Sequence, residues 1–216
     1  MNITIIGAGQ GISLGVAKKF GSKGYKTNLI SRSESQLIEL VNTLKKEGID
    51  ADFAIADASN ASSLQNALHQ LRDRNGHSDM ILYNAAALDI KDFLDQEWST
   101  YQSTLNVNVG GAFHLLKTVL PFCIQNDSGK LFFTGGGLAF QGNKDWTTLS
   151  VGKAALRNLI QAAQEKVKDS GIHIAQLTVC GYVNPKDEKY SPEAIANQYW
   201  KLFNQKKGEF ELEVTY

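Results

Sequence analysis

The feature that most constrains this chain is a repeated change of hydrophobic period. Short β-branched runs suit a pleated sheet, and between them apolar residues recur every three to four positions, as on a helix face. "NITII" comes first, then a glycine loop, after which Ile12, Val16 and Phe20 keep helical spacing up to Gly24. "YKTNLIS" reads as a second strand. A helix follows from Ser33, where Ser33 and Gln36 suit a capping box, and Leu37, Leu40, Val41 and Leu44 form its apolar face before Gly48. "IDADFAIA" predicts a third strand, Leu64, Ala67, Leu68 and Leu71 a helix, and "MILYNA" a fourth strand. A long helix is expected from about Glu97 to Ile124 (97–124), with Leu105, Val109, Phe113 and Leu116 on one face. "KLFFT" and "IHIAQLTV" are the fifth and sixth strands, with a helix at 149–169 between them. A helix over Pro192–Gln205 and the alternating "FELEV" complete the pattern.

Strands that are largely apolar and alternate with helices predict an α/β fold. The expected architecture is a doubly wound parallel sheet of about seven strands with helices on both faces, a three-layer α/β/α sandwich. No repeat, linker or low-complexity tract interrupts it, so 1–216 reads as a single domain. Lys plus Arg and Asp plus Glu balance at 22 each, which gives no reason to expect a nucleic-acid or anionic-membrane partner. "MNITIIGAGQ" lacks the basic flank of a signal peptide or anchor, and no apolar stretch reads as membrane-spanning. Cys123 and Cys180 sit far apart in apolar neighbourhoods and read as buried free thiols. They carry no metal-ligand spacing, so no metal is expected. A reducing, cytoplasmic setting is the expectation.

Doubly wound sheets bind ligands at the carboxyl ends of their strands, so the residues after each strand are the informative ones. The first such loop is "GAGQGISLG", with Gly7, Gly9 and Gly11. Glycines admit a diphosphate close to the backbone, and the next helix supplies N–H donors and a positive dipole end. A G-x-G-x-x-G register fails because Ile12 takes the sixth place. A G-x-x-x-G-x-G register fits Gly7 and Gly11 and puts Ser13 at the last glycine, where a small hydroxyl can donate to phosphate. After the second strand stand Ser31, Arg32 and Ser33, with no acid. A guanidinium between hydroxyls favours the 2′-phosphate of NADP(H) over the free ribose of NAD(H). Asp57, after the third strand, suits either an adenine amino group or a helix cap. Asn84, after the fourth, lies among small residues that suit a flat ligand, or it simply forms a turn.

With these residues in view, the chain resembles the short-chain dehydrogenase/reductase family, which has a Rossmann-type fold and uses NAD or NADP. "GAGQGIS" is similar to the family's T-G-x-x-x-G-x-G loop, with Ile6 for the Thr. "YNAA" resembles N-N-A-G, matching at Asn84 and Ala85, with Ala86 at the place of the Gly. "LNVNVGGAF" resembles the segment of the family's active-site Asn, on Asn108. "SVGKAAL" resembles the end of Y-x-x-x-K, with the lysine on Lys153. "VCGYV" resembles the P-G loop over the nicotinamide, with Cys180 for the Pro and Gly181 kept, followed by Tyr182 and Val183.

The resemblance implies a proton relay, and here it departs from the pattern. Leu149 stands where the family has its tyrosine, Gly136 where it has its serine, and Trp146 where the enoyl-reductase variant has tyrosine. Ser150, Thr134, Thr147 and Thr148 offer hydroxyls far less acidic than a phenol, and no motif places Tyr83 or Tyr182. One reading is an NADP(H)-dependent oxidoreductase acting on a small carbonyl or alcohol, with Asn108 holding a water, Lys153 as cationic donor and Gly135–Gly137 N–H groups receiving the oxyanion. A second is a catalytically inactive NADP(H)-binding pseudoenzyme, serving as redox sensor or partner-binding module. A third is a scaffold without a ligand. "NPKDEKYSP" is the only candidate substrate cover. The resemblance also implies a homodimer through the helices at 97–124 and 149–169; the apolar face of Leu105, Phe113, Leu156 and Ile160 suits that or core packing equally well.

Overall fold

The computed structural model describes residues 1–216. Its strands are β1 (Asn2–Ile6), β2 (Lys26–Ser31), β3 (Ala51–Ile55), β4 (Met80–Tyr83), β5 (Gly129–Gly136), β6 (Ile172–Val179) and β7 (Glu213–Thr215). The helices are α1 (Ile12–Gly21), α2 (Glu34–Lys46), α3 (Ala61–Asn75), α4 (Trp98–Leu105), α5 (Gly111–Asn126), α6 (Thr147–Val167) and α7 (Pro192–Phe203). All seven strands form one sheet in the order β3-β2-β1-β4-β5-β6-β7. Every pairing is parallel.

Alternation along each strand sends side chains to two separate cores. Ile3 and Ile5 of β1 and Leu29 of β2 pack with Val16, Leu37, Leu40 and Tyr199, from α1, α2 and α7. Ile6 and Ile30 turn the other way, onto Leu64, Leu115, Leu156 and Ile160 of α3, α5 and α6. The result is three layers around one sheet. Chain order reverses between β1 and β4, so a crevice opens where the loops after those two strands part.

Several boundaries differ from expectation. The helix anticipated over 97–124 is broken into α4 and α5 by a π-turn at Asn106–Gly110. Within that turn the Val107 carbonyl accepts from the Tyr83 hydroxyl at 2.5 Å. The helix anticipated at 149–169 starts at Thr147 and ends at Val167. Strand β5 runs on through Gly135 and Gly136, because pairing with β6 outweighs the poor strand propensity of glycine. The run Trp98–Asn126 is, against expectation, long and apolar enough to cross a membrane by length and composition, with mean hydropathy 1.4. Here it lies against α3 and α6 and buries Ala112, Leu115, Leu116 and Cys123. Leu156 and Ile160 belong to the chain's own core, while Phe113 stays exposed. At α2, Ser33 Oγ accepts from Gln36 N–H at 3.4 Å, the expected half of a capping box.

Candidate functional site

Gly7 follows β1 with φ +82°, and a Cβ placed on it would lie 2.4 Å from the Ala85 backbone. Both the conformation and the close approach of the β4 loop therefore demand glycine. The N–H groups of Gly7 and Ala8 both donate to Ile30 O, at 2.9 and 3.0 Å, tying the loop to β2. Gly9 and Gly11 differ: a Cβ on either would meet nothing within 4 Å, so the space over the loop is open. Helix α1 has no side-chain cap, and its first paired N–H is that of Leu14, bonded to Gly9 O. The N–H groups of Ile12 and Ser13 are left at the positive end of the helix dipole.

The Ser13 hydroxyl does not serve as a phosphate donor. It is buried, donates to Gly7 O at 2.8 Å and accepts from Asn84 Nδ2 at 2.8 Å. Asn84 thus joins the loops after β1 and β4 through its side chain rather than merely forming a turn.

Between these loops and β2–β3 lies a cleft of about 360 Å³. It gathers Gly7, Ser31, Arg32, Ser33, Asp57, Asn84, Ala85 and Ala86, and adds Gln36, Ala58, Leu88 and Val107, which sequence reasoning missed. Arg32 is exposed and joins no salt bridge. Ser31 Oγ is buried and has no hydrogen-bond partner. Asp57 Oδ1 accepts from the Ser59 hydroxyl at 2.7 Å and from its N–H at 2.9 Å. The Ser59 hydroxyl is the main reason its carboxyl sits below the usual range; burial opposes, while the Ser59 N–H and the Arg32 charge assist. Asp57 is not the α3 cap. That role falls to Asn60, which accepts from Ser63 N–H at 2.9 Å.

The other end of the crevice, at β5 and β6, lies outside this cleft. Lys153 on α6 is buried and donates to Thr134 O at 2.7 Å. Burial pulls its pKa from the usual 10.5 down to about 8. A Cβ on Gly136 would contact the lysine stem at 3.7 Å, an ordinary van der Waals distance, so that position admits a Cβ. Leu149, one turn before Lys153, brings no titratable group. The nearby hydroxyls are all engaged: Ser150 with Trp146 O, Thr147 with Asn143 O and Lys144 O, Thr148 with Asp89 O, and Thr134 with Asn84 Oδ1. Asn108 does not offer its side chain to a water. Its amide pairs both ways with Ala87, accepting at 2.7 Å and donating at 3.0 Å, which fixes the loop after β4. Tyr83 is buried, whereas Tyr182 is 86% exposed.

Gly181 is forced by packing, since a Cβ there would lie 2.2 Å from the Tyr190 ring. Val183 packs against the α1–α7 core. Cys123 is buried as expected, but Cys180 is exposed, because its loop leaves the sheet at the end of β6. Sequence reasoning also missed Tyr199, whose hydroxyl lies 2.7 Å from Thr134 Oγ1. Its helical spacing with Ile195 and Leu202 marks only a core face.

This fold and crevice define a class, and comparison with known proteins agrees. The sequence profile described as short chain dehydrogenase matches residues 1–194, so the chain belongs to that family of oxidoreductases. An uncharacterised oxidoreductase of Staphylococcus epidermidis is 25% identical over 177 residues, covering 81% of this chain and 74% of that protein. One from Staphylococcus aureus is 22% identical over 211 residues, covering 94% and 90%. The fold matches a short-chain dehydrogenase from Rhodopseudomonas palustris with TM-score 0.88 and 22% identity, over 100% of this chain and 97% of that one. It also matches a metagenomic short-chain oxidoreductase solved with NADP, with TM-score 0.89 and 19% identity, over 100% and 96%.

Proposed function

We propose that this chain is an NADP(H)-dependent oxidoreductase of a small carbonyl or alcohol, with Lys153 as its proton-handling group. The observation that carries the reading is the β2 end of the cleft, where an unpaired guanidinium, Arg32, stands beside an unpartnered hydroxyl, Ser31. The open space over Gly9 and Gly11 and the uncapped start of α1 fit a dinucleotide diphosphate. The solved relative with NADP and a Thermococcus sibiricus alcohol dehydrogenase with 5-hydroxy-NADP support the same choice.

In this reading Arg32, Ser31 and Ser33 hold the 2′-phosphate, Asp57 accepts from the adenine amino group, and Ala85 and Ala86 lie against the flat rings. The N–H groups of Ile12 and Ser13 meet the diphosphate, while Gly181 and Val183 border the nicotinamide side. When bound, the nicotinamide supplies or accepts the hydride. Lys153 keeps two N–H groups beyond its bond to Thr134, one for a ribose hydroxyl and one for the reacting oxygen. An ammonium with pKa about 8 gives a proton to an alkoxide readily near neutral pH. Exposed Trp98, Phe113 and Val151 support pairing of two copies through α4, α5 and α6.

A second reading, cofactor binding without turnover, is favoured by the engagement of every nearby Ser and Thr hydroxyl. NADPH oxidation across a panel of carbonyls and enones separates the two. The first expects turnover that declines above about pH 8 as Lys153 deprotonates and is lost in Lys153→Met. Tight NADPH binding with no oxidation of any substrate leaves the second.

A further inference from the structure

Four hydrogen bonds connect α7 to the glycine loop. Thr134 Oγ1 donates to Asn84 Oδ1 at 2.7 Å, and since a hydroxyl has one proton, the Tyr199 hydroxyl must donate to Thr134, also at 2.7 Å. Asn84 Nδ2 donates to Ser13 Oγ, and Ser13 Oγ donates to Gly7 O, each at 2.8 Å. Every direction is therefore fixed. Tyr199, Thr134 and Ser13 are all buried, so a missing link leaves a polar atom without water to replace it.

From this chain we infer that Tyr199 and Thr134 are positioning residues for the glycine loop, acting through Asn84 and Ser13. The inference rests on the cofactor reading above. The Gly7 carbonyl belongs to the turn that sets the direction of the N–H groups at the start of α1. Holding that carbonyl holds the donors intended for the diphosphate. Ser13, a departure from the glycine of the motif, supplies the short route from Asn84 to Gly7; Asn84 Nδ2 also reaches Gly7 O directly, but only at 3.5 Å. Helix α7 contributes a second restraint: it packs on α1 so closely that a Cβ on Gly15 would lie 2.4 Å from Pro192 O.

The test compares two probes, NADPH and adenosine 2′-monophosphate. The second reaches Arg32 but has no diphosphate to place on the loop. Ser13→Gly and Thr134→Val should each weaken NADPH about ten-fold. Tyr199→Phe should weaken it less, and Thr134→Ser should restore it, while all variants keep the affinity for adenosine 2′-monophosphate. Unchanged NADPH affinity in both Ser13→Gly and Tyr199→Phe would overturn the inference. So would equal weakening of both probes alongside a lowered melting temperature, the mark of a purely structural role. Wild-type protein that binds neither probe refutes the cofactor reading itself, and this inference with it.

Discussion

At the ends of β1, β2 and β4, Gly7 and one unpaired guanidinium border an open cleft, while Gly9, Gly11 and the uncapped N–H groups of Ile12 and Ser13 lie outside its lining. At the ends of β5 and β6, the hydroxyls are bonded elsewhere and Lys153 is the one buried titratable group of the α6 start. The contrast teaches how the two halves tolerate change. A dinucleotide is held largely by backbone donors and close approach, so Ile6 and Ser13 can stand at motif positions without closing the site. Proton transfer depends on one side chain at one place, and Leu149 cannot substitute for it.

The largest effect expected from breaking this contrast comes from adding free hydroxyls beside Lys153. Gly136 admits a Cβ against the Lys153 stem, and Leu149 precedes Lys153 by one helical turn. The double variant Gly136→Ser/Leu149→Tyr should raise carbonyl reduction with NADPH by about a hundred-fold or more, measured as kcat/KM. No gain would mean that the two halves are not aligned for hydride transfer. At the other end, Arg32→Ala should cost about ten-fold in preference for NADPH over NADH and leave the melting temperature nearly unchanged, since Arg32 is exposed and makes no ion pair.

A further effect is on stability. The pKa of Lys153 is about 8 in the folded chain and near 10.5 when unfolded, so between those values the unfolded chain holds more protons and stability rises with pH. The gain approaches about 3 kcal/mol by pH 10.5. Below pH 8 the cost of the buried ammonium is constant. Thermal melts of wild type and Lys153→Met should converge as the pH rises through this window, and parallel curves would show that Lys153 is not desolvated.

Much of the fold was legible because hydrophobic period is a local property. "IHIAQLTV" coincides with β6, and the apolar faces of α2 and α3 are those read from Leu37 to Leu44 and Leu64 to Leu71. The π-turn at Asn106–Gly110 was not legible, since the helical pattern runs through it and only the Tyr83–Val107 bond betrays it. In the site, the glycines, Arg32 and Lys153 announced themselves by type and place. The engagement of Ser13, Asn108 and Tyr199 did not, because each depends on a partner from 21 to 71 residues away. Cys180 looked buried by its neighbours and is exposed because the sheet ends there.

The proposal at stake is that the β1–β2–β4 half binds a 2′-phosphorylated dinucleotide although the hydroxyls of the β5–β6 half are bonded elsewhere. Calorimetric titration of the wild-type chain with NADPH and with NADH tests it most directly. The account predicts micromolar binding of NADPH, with NADH weaker by about ten-fold, the worth of one charge-assisted contact at Arg32. Equal affinities, or no heat from either nucleotide, would contradict it.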